Sequence, residues 1–206
     1  MIEDGLIEHW WLVRHAPVRL KSIYGQMDVD ADFSDVNAFE QLKKILPEKK
    51  FTVSSDLSRC VKTAQRICGD REGDAGPMEK HRAFREQHFG DWQGLTFDEA
   101  KDADQMVYQQ FWENPAMEAP PRGESFSEVM VRVIKARKEL SSRRVGEDIL
   151  VVAHAGTIRA LLADALGISP EKALLFTIDP LSLTKLTVYR QGESENWQIN
   201  WINRTY

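Results

Sequence analysis

Residues 149–158 read Ile149-Leu150-Val151-Val152-Ala153-His154-Ala155-Gly156-Thr157-Ile158. A continuous apolar run rich in β-branched residues suits a strand covered on both faces. The stripe that follows, Ile158, Leu161, Leu162, Ala165 and Leu166, repeats at helical spacing and closes on Gly167, a C-terminal cap signal. A buried strand that runs straight into a helix is the repeating unit of an α/β sheet, and here it leaves His154 at the junction.

The rest of the chain repeats the pattern. Residues 9–13, 51–54 and 183–189 are further β-rich segments, and residues 197–203 alternate bulky and polar side chains after the turn-like Gln191-Gly192-Glu193. That last pair predicts an antiparallel hairpin at the sheet edge. Leu57, Cys60, Val61, Ala64, Ile67 and Cys68 mark the buried face of one helix. Phe126, Val129, Met130, Val133, Ile134 and Leu140 mark another, opened by the capping box Ser125 and Glu128. The segment 82–123 is aromatic, acidic and less regular, and reads as a helical excursion beside the active site. No repeat or linker divides the 206 residues, so a single domain over 1–206 is expected.

Composition sets the class of partner. With 42% hydrophobic and 29% charged residues, the chain can bury a real core. A net charge of -5 argues against nucleic acid as the general partner, while a local basic pocket for a small phosphorylated metabolite remains compatible with it. The start is acidic, and the apolar run at residues 10–13 is too short for a signal peptide or a membrane span, so a cytoplasmic protein is expected. Cys60 and Cys68 on one helix would stand roughly 12 Å apart, too far for a disulfide.

Three strand-to-helix junctions carry the chemistry. Arg14 and His15 follow the first strand, Ser55-Asp56-Leu57-Ser58-Arg59 follows the second, and His154 follows the strand at 148–153. Ligands of α/β sheets bind beyond the carboxyl ends of the strands, and helix N-termini there favour anions. Two histidines and two arginines at equivalent positions describe a pocket for a dianionic phosphoryl group. A neutral imidazole can attack phosphorus, while the arginines disfavour imidazolium and stabilise charge on the equatorial oxygens. The departing alkoxide needs a proton. Glu86, within the aromatic and glycine-rich stretch 84–94, is the expected donor, its carboxyl pKa raised by partial desolvation, with Asp91 as the fallback.

These motifs, Leu12-Val13-Arg14-His15-Ala16, Ser55-Asp56-Leu57-Ser58-Arg59, residues 86–94, Gly123-Glu124-Ser125 and Val152-Ala153-His154-Ala155-Gly156, resemble the histidine phosphatase superfamily, also called phosphoglycerate mutase-like. They stand in the family's order over most of the chain, and the ordered set is highly specific. The resemblance implies a three-layer α/β/α sandwich with a mostly parallel central sheet, one antiparallel edge strand and a helical excursion over the active site. It implies His15 as nucleophile, Arg14, Arg59 and His154 as the rest of the phosphate pocket, Glu86 as proton donor, and no required metal or other cofactor. Ile23-Tyr24-Gly25-Gln26-Met27-Asp28 looks like the glycine-containing loop over the pocket, which makes Gly25 and Gln26, with Ala155, candidate substrate contacts. Where the family usually has Gly, followed often by a hydroxyl or acidic residue, this chain has Ala16, Pro17 and Val18. Ala16 fits only at negative φ and Pro17 lacks an N–H, so no substrate contact is carried over from that stretch.

Several alternatives stand beside this reading. Cys60 and Arg66 have the bare spacing of a cysteine-dependent phosphatase, but the residues between them contain no glycine and continue a helical stripe. His81, His88 and His154 lack metal-ligand spacing. A phosphoglycerate mutase-type transfer shares the first half-reaction, and a family member that binds a phosphorylated partner without turnover is the non-enzymatic alternative. The compact length resembles the phosphatase branch, α-ribazole phosphatase in particular. A homodimer is compatible with all of these. Arg19, Lys21, Arg82, Arg85 and Arg122 are candidates for a second acidic group on the substrate, or else solvated surface charges. Trp92 and Trp112 are the tryptophans expected nearest the pocket.

Overall fold

The computed structural model describes residues 6–69, 78–192 and 194–206. The acidic start at residues 1–5 and Glu193 of the expected turn lie outside the described residues. Six strands, β1 (Leu6–Arg14), β2 (Phe51–Ser54), β3 (Glu79–Lys80), β4 (Ile149–Ala153), β5 (Leu183–Gln191) and β6 (Ser194–Arg204), form one sheet in the order β3-β2-β4-β1-β5-β6. The pairs β1–β4, β2–β4 and β2–β3 are parallel, and β5 pairs antiparallel with both β1 and β6. The expected hairpin therefore closes one edge of a mostly parallel sheet. Within it β5 is the strand that runs against the others.

Side-chain alternation distributes the central strands to two covering layers. Trp10, Leu12, Ile149, Val151 and Ala153 face helices α5 (Phe126–Arg143) and α6 (Ala155–Leu166). Trp11, Val13, Leu150 and Val152 face α1 (Val36–Ile45) and α2 (Ser58–Cys68). This is the three-layer sandwich. All five residues of β4 are buried, as an unbroken apolar run requires, and each large aliphatic side chain so buried stabilises the fold by about 1.5–3 kcal/mol.

The ends of the helices obey local chemistry. Ser125 and Glu128 form the reciprocal capping box at the start of α5, and Gly167 ends α6 in the left-handed conformation, φ 61°. The segment 82–123 contains two short 3₁₀ turns, Arg82–Phe84 and Gly90–Trp92, then α3 (Phe97–Ala103) and α4 (Gln105–Glu113). Its aromatic residues build a separate small cluster of Ile23, Trp92, Ala100 and Phe111. A last short helix, α7 (Pro170–Ala173), follows α6. Among the described residues, no helix is long and apolar enough to cross a membrane.

Candidate active site

The register of the parallel strands brings the three junctions together. Arg14 lies opposite Ala153, and Ser54 opposite Val152, so β1, β4 and β2 end side by side. His15 N–H donates to Ala153 O at 2.9 Å and Ser55 N–H to Val152 O at 3.0 Å, which extends the ladder one residue past each strand. His15 and His154 consequently meet edge to face, ring centroids 5.0 Å apart, and both are buried.

Each ring has a defined orientation. His15 Nδ1 lies 2.7 Å from Ala16 O, an acceptor only, so Nδ1 carries the proton and Nε2 keeps its lone pair. His154 Nε2 sits 2.9 Å from Ser55 Oγ and 3.3 Å from Cys60 Sγ. Burial, followed by the guanidinium of Arg59 and then that of Arg14, pulls the His15 pKa down to about 3 against the weaker opposing effect of Ala16 O. Burial, then His15, Arg59 and Arg14, lowers that of His154 as well. Both rings are neutral at physiological pH.

This arrangement has a measurable cost in acid. Unfolded histidine, at about 6.5, takes up protons that the folded state refuses, so stability falls as pH drops from about 6.5 toward 3. Once well below 6.5, each pH unit costs about 1.4 kcal/mol per such histidine. His15→Asn is expected to remove about 2 kcal/mol of the stability lost between pH 7 and pH 5, as measured by urea unfolding at the two values. Equal losses in wild type and variant would show that His15 does not contribute.

The arginines are built in rather than draped over the surface. Arg59 falls in the first turn of α2 and is fully buried. Its Nη1 donates to Met27 O at 2.7 Å and its Nη2 to Gly25 O at 2.6 Å, which fastens the loop 22–28 over the site. Gly25 has φ +41°, and a Cβ there would stand 2.6 Å from Gln93 Oε1 and 2.8 Å from Gln87 O, so only glycine fits. Arg14 Nη1 donates to Ile178 O at 2.6 Å. The Nε atoms of Arg14 and Arg59 are buried and have no hydrogen-bond partner among the described residues, as have those of Arg137, Arg144 and Arg190 elsewhere in the fold. Ala16 is not among the residues with positive φ, so alanine is accommodated, and its N–H is taken by Thr63 Oγ1 at 3.0 Å.

Glu86 comes to this pocket from the side. Its Oε1 accepts from Gly156 N–H at 3.1 Å and Gln87 N–H at 3.0 Å, while Oε2 has only a 3.4 Å contact to Gly156 N–H. Oε2 is therefore the oxygen able to present a proton. A Cβ at Gly156 would stand 2.3 Å from Glu86 Oε1, so a side chain there would push the Glu86 carboxylate aside. The backbone of Glu86 is gripped from behind. Its carbonyl accepts from Gln26 Nε2 and Arg132 Nη2, both at 3.0 Å. Arg132 also holds Ala83 O and Arg85 O, at 2.7 and 2.9 Å, and pairs with Glu124. Gln26, expected at the substrate, thus has its amide engaged in positioning the Glu86 loop, and reaches Glu124 Oε1 at 3.2 Å. Ala155 is the first residue of α6 and packs against the core.

The remaining candidates lie as follows. Asp91 pairs with the exposed Arg122 and is itself 40% exposed. Arg85 forms a two-point pair with Asp56, both bonds 2.7 Å, and Arg19 pairs with Asp32. Lys21 and Arg82 are exposed. Trp92 is enclosed in the small aromatic cluster, and Trp112 is 45% exposed against Phe97, Tyr108 and Phe111, so neither lines the phosphate pocket. Cys60 is buried at the floor and burial raises its thiol pKa, which removes it as a nucleophile. Cys68 is only half-buried. A pocket of 470 Å³ lined by Gln26, Arg82, His88 and Arg132 among others touches none of Arg14, His15, Arg59 or His154. Sequence reasoning missed Ser55, Arg132 and Arg159. The first was signalled by its place at the junction after β2, and the last by its place on the helix that starts at His154.

A family model described as the histidine phosphatase superfamily (branch 1) matches residues 10–204. Phosphoglycerate mutase-like protein 4 of Arabidopsis thaliana is 30% identical over 186 residues, 87% of this chain and 76% of that protein. Glucosyl-3-phosphoglycerate phosphatase of Mycolicibacterium vanbaalenii is 38% identical over 156 residues, 69% of this chain and 67% of that protein. The crystal structure of the α-ribazole phosphatase from Shigella flexneri superposes with a TM-score of 0.82 over 95% of this chain and 96% of that one, at 21% identity, and shows the shared fold.

Proposed function

Since this chain belongs to branch 1 of the histidine phosphatase superfamily, we propose that it hydrolyses a small phosphorylated metabolite in the cytoplasm through a phosphohistidine on His15. The observation that carries this reading is the His15 tautomer: Nδ1–H is committed to Ala16 O, and Nε2 is unprotonated among Arg14, Arg59 and His154. His15 Nε2 attacks phosphorus, and the bond to the leaving oxygen breaks as Glu86 delivers a proton to it. Water then attacks the phosphohistidine, giving its proton to Glu86 and releasing inorganic phosphate. Arg14 and Arg59 balance the charge on the equatorial oxygens, a task that requires no metal in this mechanism.

Glu86→Ala tests the acid. It is expected to lower kcat on an alkyl phosphate by about 10²–10⁴-fold while affecting p-nitrophenyl phosphate, whose leaving group needs no proton, about tenfold or less. Equal losses on both substrates would remove Glu86 from that role. The assays run in excess chelator, and Cys60→Ser serves as a control expected to retain turnover.

The substrate is an ester of small size, with α-ribazole phosphate and phosphoglycerate-type esters the first candidates to screen. A mutase reading is favoured by the 30% identity to a phosphoglycerate mutase-like protein. Release of inorganic phosphate from the first turnover onward supports the hydrolase, and an isomeric phosphate ester as the sole product supports the mutase.

A further inference from the structure

Helix α6 carries a further arginine into the same cleft. Gly156 and Arg159 lie one turn apart on one face of α6. Helix side chains lean toward the N-terminus of their helix, so Arg159 reaches back over Gly156, the residue whose N–H holds Glu86. Its Nε donates to Phe176 O at 2.8 Å. Two residues further along, Ile178 O holds Arg14 Nη1 at 2.6 Å. One short stretch of chain therefore anchors two guanidiniums side by side, with the Glu86 carboxylate next to them.

The partnering of Arg159 is incomplete. The described residues provide its Nη1 and Nη2 with neither a hydrogen bond nor a carboxylate. By contrast, Arg85, Arg132 and Arg137 each have a carboxylate partner. Burial lowers the Arg159 pKa, Glu86 opposes that shift in part, and Arg14 adds to it to a smaller degree. A half-buried guanidinium whose Nη1 and Nη2 make no hydrogen bond to the described residues is unfavourable, and a ligand anion would engage both through two-point geometry.

We propose that Arg159 recognises a second anionic group, a carboxylate or a phosphate, on the alcohol portion of the substrate beside the scissile ester. This rests on the phosphatase reading above and narrows its substrate class to esters of acidic alcohols. The position of Arg159 beside Glu86, on the leaving-group side, places the second anion a few bonds from the departing oxygen.

The test uses three esters of one carbon skeleton: 3-phosphoglycerate, glycerol 1,3-bisphosphate and the neutral-headed reference glycerol 3-phosphate. In wild type, kcat/KM for at least one of the first two exceeds that for the reference by about tenfold or more, mainly through KM. Preference for 3-phosphoglycerate alone identifies a carboxylate, and preference for the bisphosphate alone identifies a phosphate. Arg159→Gln brings the ratio close to one, and Arg159→Lys restores part of it by charge without the fork. Thermal melting checks that both variants fold. Absence of a wild-type preference, or an equal fall on all three esters in Arg159→Gln, overturns the proposal. Turnover of p-nitrophenyl phosphate by wild type reports separately on the phosphatase reading. If that turnover is absent, calorimetric titration with the same three compounds makes the comparison by binding, with the same criteria.

Discussion

His15→Ala is expected to lower kcat on p-nitrophenyl phosphate by at least about 10⁴-fold, with the fold intact by circular dichroism. The size follows from the role: His15 Nε2 is the atom that bonds to phosphorus, and no neighbour can replace it. His154, 5.0 Å away between ring centroids, has its Nε2 turned to Ser55 and Cys60. The Cys60 thiol is buried and held protonated by its surroundings. Removing the ring leaves only arginines to bind phosphate, so affinity for inorganic phosphate should survive better than turnover. Retention of more than a few per cent of kcat in His15→Ala would place the nucleophile elsewhere.

The second large effect is expected for Arg59→Ala, a fall of about 10²–10³-fold in kcat/KM. Two losses add. The equatorial phosphate oxygens lose a fully buried guanidinium, and the loop 22–28 loses the two bonds at Met27 O and Gly25 O that hold it down. Arg59→Lys separates them, because one ammonium supplies charge but cannot serve two carbonyls and a phosphate together. A defect in Arg59→Lys nearly as large as that in Arg59→Ala is the expected result. Full activity of Arg59→Lys would show that charge alone is needed. Activity of Arg59→Ala within about threefold of wild type would remove Arg59 from the pocket.

The legible parts of the molecule were those whose role is expressed locally. The unbroken apolar run of β4, the stripe of α6 closed by Gly167, and the Ser125–Glu128 box each determine their element within a few residues, and all three elements form, although Leu166 at the end of the stripe is 40% exposed. The site was legible because three such units end in Arg, His or both, and parallel register does the rest. Much of what escaped notice depends on distant partners. Helix α1 carries Ala38, Phe39, Leu42 and Ile45 at helical spacing, a signal present in the sequence that was passed over, while β3 is two residues long and has too little period to detect. Arg132 resembled one more charge on the polar side of α5. Only the folded chain shows it gripping the backbone of Glu86. Trp92 and Trp112 were assigned by chemistry alone, and packing sent one to a separate aromatic cluster and left the other nearly half exposed.

Catalysis through His15 passes through a covalent phosphohistidine, which can be trapped. Wild-type protein is mixed with p-nitrophenyl phosphate in excess chelator, quenched in alkali within the first turnovers, and digested for mass spectrometry. This mechanism places one phosphoryl group on His15, stable in alkali and lost in acid, and absent from His15→Ala. Phosphoryl transfer to Cys60 or another residue, or sustained turnover with no phosphoenzyme at any quench time, would contradict it.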